Sequence, residues 1–133
     1  MSTYLTIYIQ PKEGKPIGLT SYSSNHEIYN YFRENMNIVY LNDESEKYTE
    51  ITIQDINNIY TSINSDFVKL KNKIDLFKTC ANGNSEILYE ILECEECLDE
   101  LTNVKHTIRF IKELIEETAF SSSDYTKVLC NIG

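Results

Sequence analysis

Cys94-Glu95-Glu96-Cys97 is the stretch whose residue types and spacing come nearest to a reactive centre. A C-x-x-C pair can bind metal or carry electrons, but a zinc site wants a second pair of ligands. A thiol-disulfide site wants its pair at a helix N-terminus, where the macrodipole lowers the thiol pKa. This pair falls in the middle of a helical pattern, so it is expected to supply small side chains to a helix-helix seam. The two histidines, His26 and His106, lie far apart in the chain. Nothing resembles a nucleophile elbow or H-E-x-x-H, and the four glycines, Gly14, Gly18, Gly83 and Gly133, exclude a phosphate-cradling loop. Glu93, Glu96 and Glu100 stand at helical spacing and could line a cation site, although salt partners or solvent are commoner fates. The expectation is therefore a chain without enzymatic activity, cofactor or metal.

Binding is the remaining class, and two surfaces suggest it. The formal charge is −9, which repels a phosphate backbone and argues against direct nucleic-acid binding. Its acidity is concentrated in one helical stretch, from Glu86 to Glu117, where Glu93, Glu96 and Glu100 would offer a face to a basic partner; the plain alternative is a solvated face. Tyrosine supplies the second surface. Seven of the ten fall within the first 48 residues, and Tyr4 and Tyr8 point away from the aliphatic face of the first strand. Such rings suit an interface or a stacking surface, or else a second packed layer.

The elements that must position these residues follow from periodicity. Residues 52–118 read as two amphipathic helices joined by the breaker Cys80-Ala81-Asn82-Gly83-Asn84. One stripe runs through Ile56, Ile59, Ile63, Phe67, Leu70, Ile74 and Phe77. The other runs through Ile87, Ile91, Cys94, Leu98, Leu101, Val104, Ile108, Ile111 and Ile115. An antiparallel αα-hairpin lets each stripe cover the other. With the turn near Asn82, Lys69, Lys71, Lys73 and Lys78 should run along Glu95, Glu93, Glu90 and Glu86. Residues beyond Ile108 have no partner on the first helix and should pack on a sheet.

Residues 1–51 read as a small α/β part. Thr3 to Gln10 alternates as a strand with Leu5, Ile7 and Ile9 inward, and Ile17 to Tyr22 returns as a second. Ser24 and Glu27 resemble a capping box before a short helix with Ile28, Phe32 and Met36 inward. Ile38 to Leu41 and Tyr48 to Ile51 are expected as further strands, flanking the loop Asn42 to Lys47. Thr52 with Asp55 is a second capping box, opening the first long helix. Residues 119–133 hold a strand from Tyr125 to Ile132, or a tail. The whole is expected as a single α+β domain, a small antiparallel sheet with one short helix followed by a long coiled-coil-like hairpin. Leu88 and Leu92 lie off the seam near the turn, which predicts a homodimer that buries them.

No apolar run is long enough to cross a membrane, and the opening residues lack a signal peptide. With four cysteines and no secretory signal, a reducing cytoplasm is the expected location. The opening Thr3-Tyr4-Leu5-Thr6-Ile7-Tyr8-Ile9, with Leu19-Thr20-Ser21-Tyr22-Ser23-Ser24-Asn25 and Glu27-Ile28-Tyr29, resembles small uncharacterised accessory proteins encoded by bacteriophages. The resemblance covers the first quarter of the chain. It implies expression in a bacterial host cell and a role in manipulating host factors or defences. The expected function is a non-enzymatic protein that engages or inhibits a host or defence protein. The alternative is a binder of a nucleotide-like small ligand.

Overall fold

A computed structural model describes residues 3–40, 47–120 and 122–133. It shows an α+β fold in which a four-stranded antiparallel sheet carries three helices on one face. The strands are β1 (Tyr4–Pro11), β2 (Ile17–Ser23), β3 (Thr49–Glu50) and β4 (Tyr125–Ile132), and the helices are α1 (Glu27–Asn35), α2 (Ile53–Cys80) and α3 (Ser85–Glu117).

The sheet order is β2-β1-β4-β3. Alternation along β1 sends Leu5 and Ile7 inward, and their partners across the ladder, Ile132 and Cys130, share that face and are buried. The C-terminal segment is thus an interior strand, paired with β1 on one side and β3 on the other. Two expectations for the short strands need correction. Within Ile38 to Leu41 only Tyr40 joins the sheet, through one isolated parallel bridge to Ile132. Leu41 and the loop from Asn42 to Glu46 lie outside the described residues, and the strand expected from Tyr48 to Ile51 shrinks to Thr49–Glu50.

α2 and α3 form the antiparallel hairpin, and each opens where a side chain satisfies free N–H groups. Thr52 Oγ1 accepts from Asp55 N at 3.2 Å while Asp55 Oδ2 accepts from Thr52 N at 2.9 Å. Asn84 Oδ1 accepts from Glu86 N and Ile87 N. Between the helices Asn82 and Gly83 adopt positive φ, which turns the chain and favours glycine at the second position. Ile56, Ile59, Ile63, Leu101, Val104, Ile108 and Ile111 join Leu5, Ile7 and Phe32 in one core, with Leu114 and Ile115 packed against it. The base of α3 therefore lies on the sheet as the unpaired part of its stripe requires. Farther out, Ile74, Ala81, Ile91 and Cys94 make a small separate cluster.

The charges pair differently from the expected register. Lys78 reaches Glu95 at 3.5 Å instead of Glu86, and this is the one ion pair between α2 and α3 among the described residues. Long exposed side chains gain little from any one partner, so hydrophobic packing sets the register and the charges adapt.

Candidate protein interface

Glu93, Glu96 and Glu100 are all exposed on α3, spaced so that they follow one side of the helix. The lower end of this row meets α1. A groove of about 340 Å³ at the junction is lined by Asn25, His26, Glu27, Glu100, Asn103 and Thr107. A neighbouring cleft of about 210 Å³ sets Glu27 and Glu100 with Tyr31, Asp66 and Cys97. Glu27 and Asp66 thus extend the acidic row across three helices.

The seating of α1 produces this junction. Ile28, Tyr29, Tyr31 and Phe32 bury its inner side, and the Tyr31 hydroxyl donates to Asp66 Oδ2 on α2. Its N-cap is His26, whose Nδ1 accepts from Ile28 N at 3.1 Å, in place of the expected Ser24 capping box. Glu27 is consequently free to project from the first turn, where the helix dipole stabilises a carboxylate.

Neighbouring acids register the local field. The Cys97 thiol is pushed above its ordinary value by desolvation first, then by Glu100, Cys94, Glu27 and Glu96. The Tyr31 phenol is raised by burial first, then by its hydrogen bond to Asp66 and by the charges of Asp66, Glu27 and Glu34. Among the described residues, Glu27, Asp66, Glu93, Glu96 and Glu100 take part in no ion pair. Such a surface attracts cationic groups.

The C-x-x-C expectation needs one correction: Cys94 is buried in the hairpin seam, but Cys97 is exposed. A raised thiol pKa leaves Cys97 protonated at neutral pH and a poor nucleophile. Among the described residues no three His, Cys, Asp or Glu side chains converge as metal ligands.

Tyr4 and Tyr8 lie on the other face of the sheet, away from the helices, so they share no surface with the glutamate row. Tyr4 is exposed, and Tyr8 meets Tyr48 edge to face at 5.0 Å while its hydroxyl donates to Asn131 Oδ1. The other tyrosines scatter: Tyr29 and Tyr31 are core residues, Tyr22 faces His26, and Tyr40 is exposed beside β4. The tyrosine-rich segment is therefore not a tyrosine-rich face. Leu88 and Leu92 remain 47% and 56% exposed on the outer hairpin, with Val68, Leu76 and Tyr89 also exposed.

No family model, curated protein or solved structure matches this chain. The reading of its surfaces therefore rests on their own chemistry. Asp66 and Glu27 were missed as members of the acidic row because each sits on a different element from Glu100. Nothing in the sequence sets Asp66 apart, since Asp55 and Asp75 lie in the same helix.

Proposed function

We propose that this chain is a non-enzymatic binding protein that engages a basic surface on a host or defence protein, and inhibits it, through the acidic row of α3. The observation that carries this reading is that Glu93, Glu96 and Glu100 are exposed and outside any ion pair, and continue into Glu27 and Asp66. Matched charge across an interface steers encounter and excludes wrong partners, which suits an inhibitor that must find one target. The resemblance of the first quarter to phage accessory proteins supplies the setting, the cytoplasm of a bacterial host cell. No helix of the described residues is long and apolar enough to cross a membrane.

The proposed active form is a homodimer in which the exposed Leu88 and Leu92 are covered by the hairpin of a second copy. Tyr4 and Tyr8 would then serve a separate contact on the far face of the sheet. The nucleotide-binding alternative draws less support, because Tyr8 is already engaged by Tyr48 and Asn131.

The test is capture of partners from bacterial lysate by the unmodified protein and by a Glu93→Lys, Glu96→Lys, Glu100→Lys variant, followed by reconstitution with the purified partner. The proposal expects the triple variant to lose that partner and the unmodified complex to weaken with rising salt. Partners unchanged by the triple variant would count against the acidic row.

A further inference from the structure

The two edges of the sheet are finished differently. Beside β4 lie β3, the Tyr40 bridge to Ile132 and a hydrogen bond from Ile51 N to Val128 O. β2 has a neighbour only in β1 among the described residues. The direction of its main-chain groups follows from the ladder. Ser24 N donates to Thr3 O, so the pairs Leu5 with Tyr22 and Ile7 with Thr20 are the hydrogen-bonded ones by antiparallel alternation. The pairs between them are not, and so the N–H and C=O of Ser21 and the N–H of Ser23 turn outward. The Ser23 carbonyl is occupied, accepting from His26 N.

Natural sheets protect such an edge with lysine, proline, inward charges or a bulge. From Ile17 to Asn25 there is no charged residue and no proline. The one device present is the irregularity between Ile7 and Tyr8, which leaves Leu19 as the extra residue of β2. It leaves the Thr20 to Ser23 edge regular, and Leu19 lines a groove.

That groove, about 500 Å³, lies between β2 and the base of α3, lined mainly by Leu19, Tyr22, His106, Phe110, Ile111 and Leu114. Leu19 is 43% exposed and Phe110 56%. A strand added beside β2 would place every second side chain on the helix side of the sheet, over this groove. Main-chain pairing with a pocket for alternate side chains is how sheet edges take up extended peptides.

We propose that the β2 edge and its groove bind an uncharged extended peptide segment that alternates apolar and polar residues, as an added antiparallel strand. Charge selects the neutral class. The edge itself carries none, and from Lys105 to Glu117 the flanking helix balances Lys105, Arg109 and Lys112 against Glu113, Glu116 and Glu117. Area selects a peptide over a second copy of the chain. A seven-residue strand is roughly 24 Å long at about 3.4 Å per residue, and as a strip about 10 Å wide offers on the order of 240 Å². A stable protein interface takes about 800 Å² from each partner, far more than this strip provides. This surface is separate from the acidic row, so the two proposals fail independently.

The probe is a fluorescent seven-residue peptide alternating threonine with leucine and phenylalanine, capped at both ends, titrated in anisotropy against the full chain. Ser21→Pro removes an outward N–H without breaking a main-chain bond to β1, losing only the side-chain bond between Ser21 Oγ and Thr6 Oγ1, and Phe110→Asp charges the groove without touching the edge. The proposal expects saturable binding below about 1 mM that weakens by about tenfold or more in each variant, with circular dichroism unchanged. It also expects binding to survive Glu93→Lys, Glu96→Lys, Glu100→Lys. Absence of binding at about 1 mM, binding indifferent to both variants, or a sedimenting dimer that Ser21→Pro dissociates would each overturn it. The last result would mean that a second copy fills the edge.

Discussion

The Tyr31 hydroxyl donates a 2.6 Å hydrogen bond to Asp66 Oδ2, tying the short helix α1 to the middle of α2. The acceptor is a carboxylate on a partly covered residue, and bonds of this charge-assisted kind contribute more than neutral ones. Tyr31→Phe should cost about 1–3 kcal/mol in denaturant unfolding, with an unchanged m-value. Linkage gives a second signature. The folded state raises the Tyr31 phenol from the ordinary 10.0, so the unfolded chain releases this proton first. Stability is intact below pH 10.0 and falls as pH rises above it, by at most about 1.4 kcal/mol per pH unit for this group. The Phe variant should show a shallower alkaline decline; an identical decline would mean that Tyr31 is not the group responsible.

Thiol accessibility separates the four cysteines. Cys80 and Cys97 are exposed whereas Cys94 and Cys130 are buried, so alkylation of the native protein followed by mass spectrometry should add two groups, and four after denaturation. Cys97 should react more slowly than Cys80 at neutral pH because its thiol pKa is raised. Cys130 is raised from 9.0 to about 12, first by burial and then by Asp55. The native state therefore keeps a proton that the unfolded state loses above 9, and a Cys130→Val variant should hold its stability better between pH 9 and 12.

The outer hairpin gives the assembly prediction. Leu88→Glu with Leu92→Glu should leave the circular dichroism unaltered, since both side chains are about half exposed in the single chain. It should convert a dimer to a monomer in sedimentation. An unmodified protein that is already monomeric at tens of micromolar, roughly an interaction weaker than −6 kcal/mol, removes the homodimer.

Local patterns in the sequence carried the helices to within a residue or two. Spacings of three and four from Ile56 to Phe77 and from Ile87 to Ile115 can be satisfied only by helices, and Thr52 with Asp55 marks a start because both halves of the cap lie within three residues. The same alternation that makes Tyr4 and Tyr8 outward-facing is visible in β1 itself. What escaped were relations between distant segments. The pairing of Ile7 with Cys130, the meeting of Glu27, Asp66 and Glu100, and the exposure of Cys97 beside a buried Cys94 all depend on where α1 and β4 settle. His26 displaced Ser24 as N-cap because both fit the local pattern and only the tertiary path of the chain chooses between them.

The insertion of β4 between β1 and β3 also sets a clock. β1 is separated from its partner on that side by more than 110 residues: Leu5 pairs with Ile132. At about 5–20 residues per second, roughly 6–25 s of synthesis pass before that neighbour exists. Throughout this interval β1 and β2 can form only a two-stranded ribbon, which is marginal in water, whereas α2 and α3 need only each other across a short turn. The α2–α3 hairpin should therefore assemble first and the sheet close last. Pulse-labelled hydrogen exchange during refolding would read this order as amide protection between Ile87 and Leu101 that precedes protection of Thr6 and Tyr8, whose amides face β4.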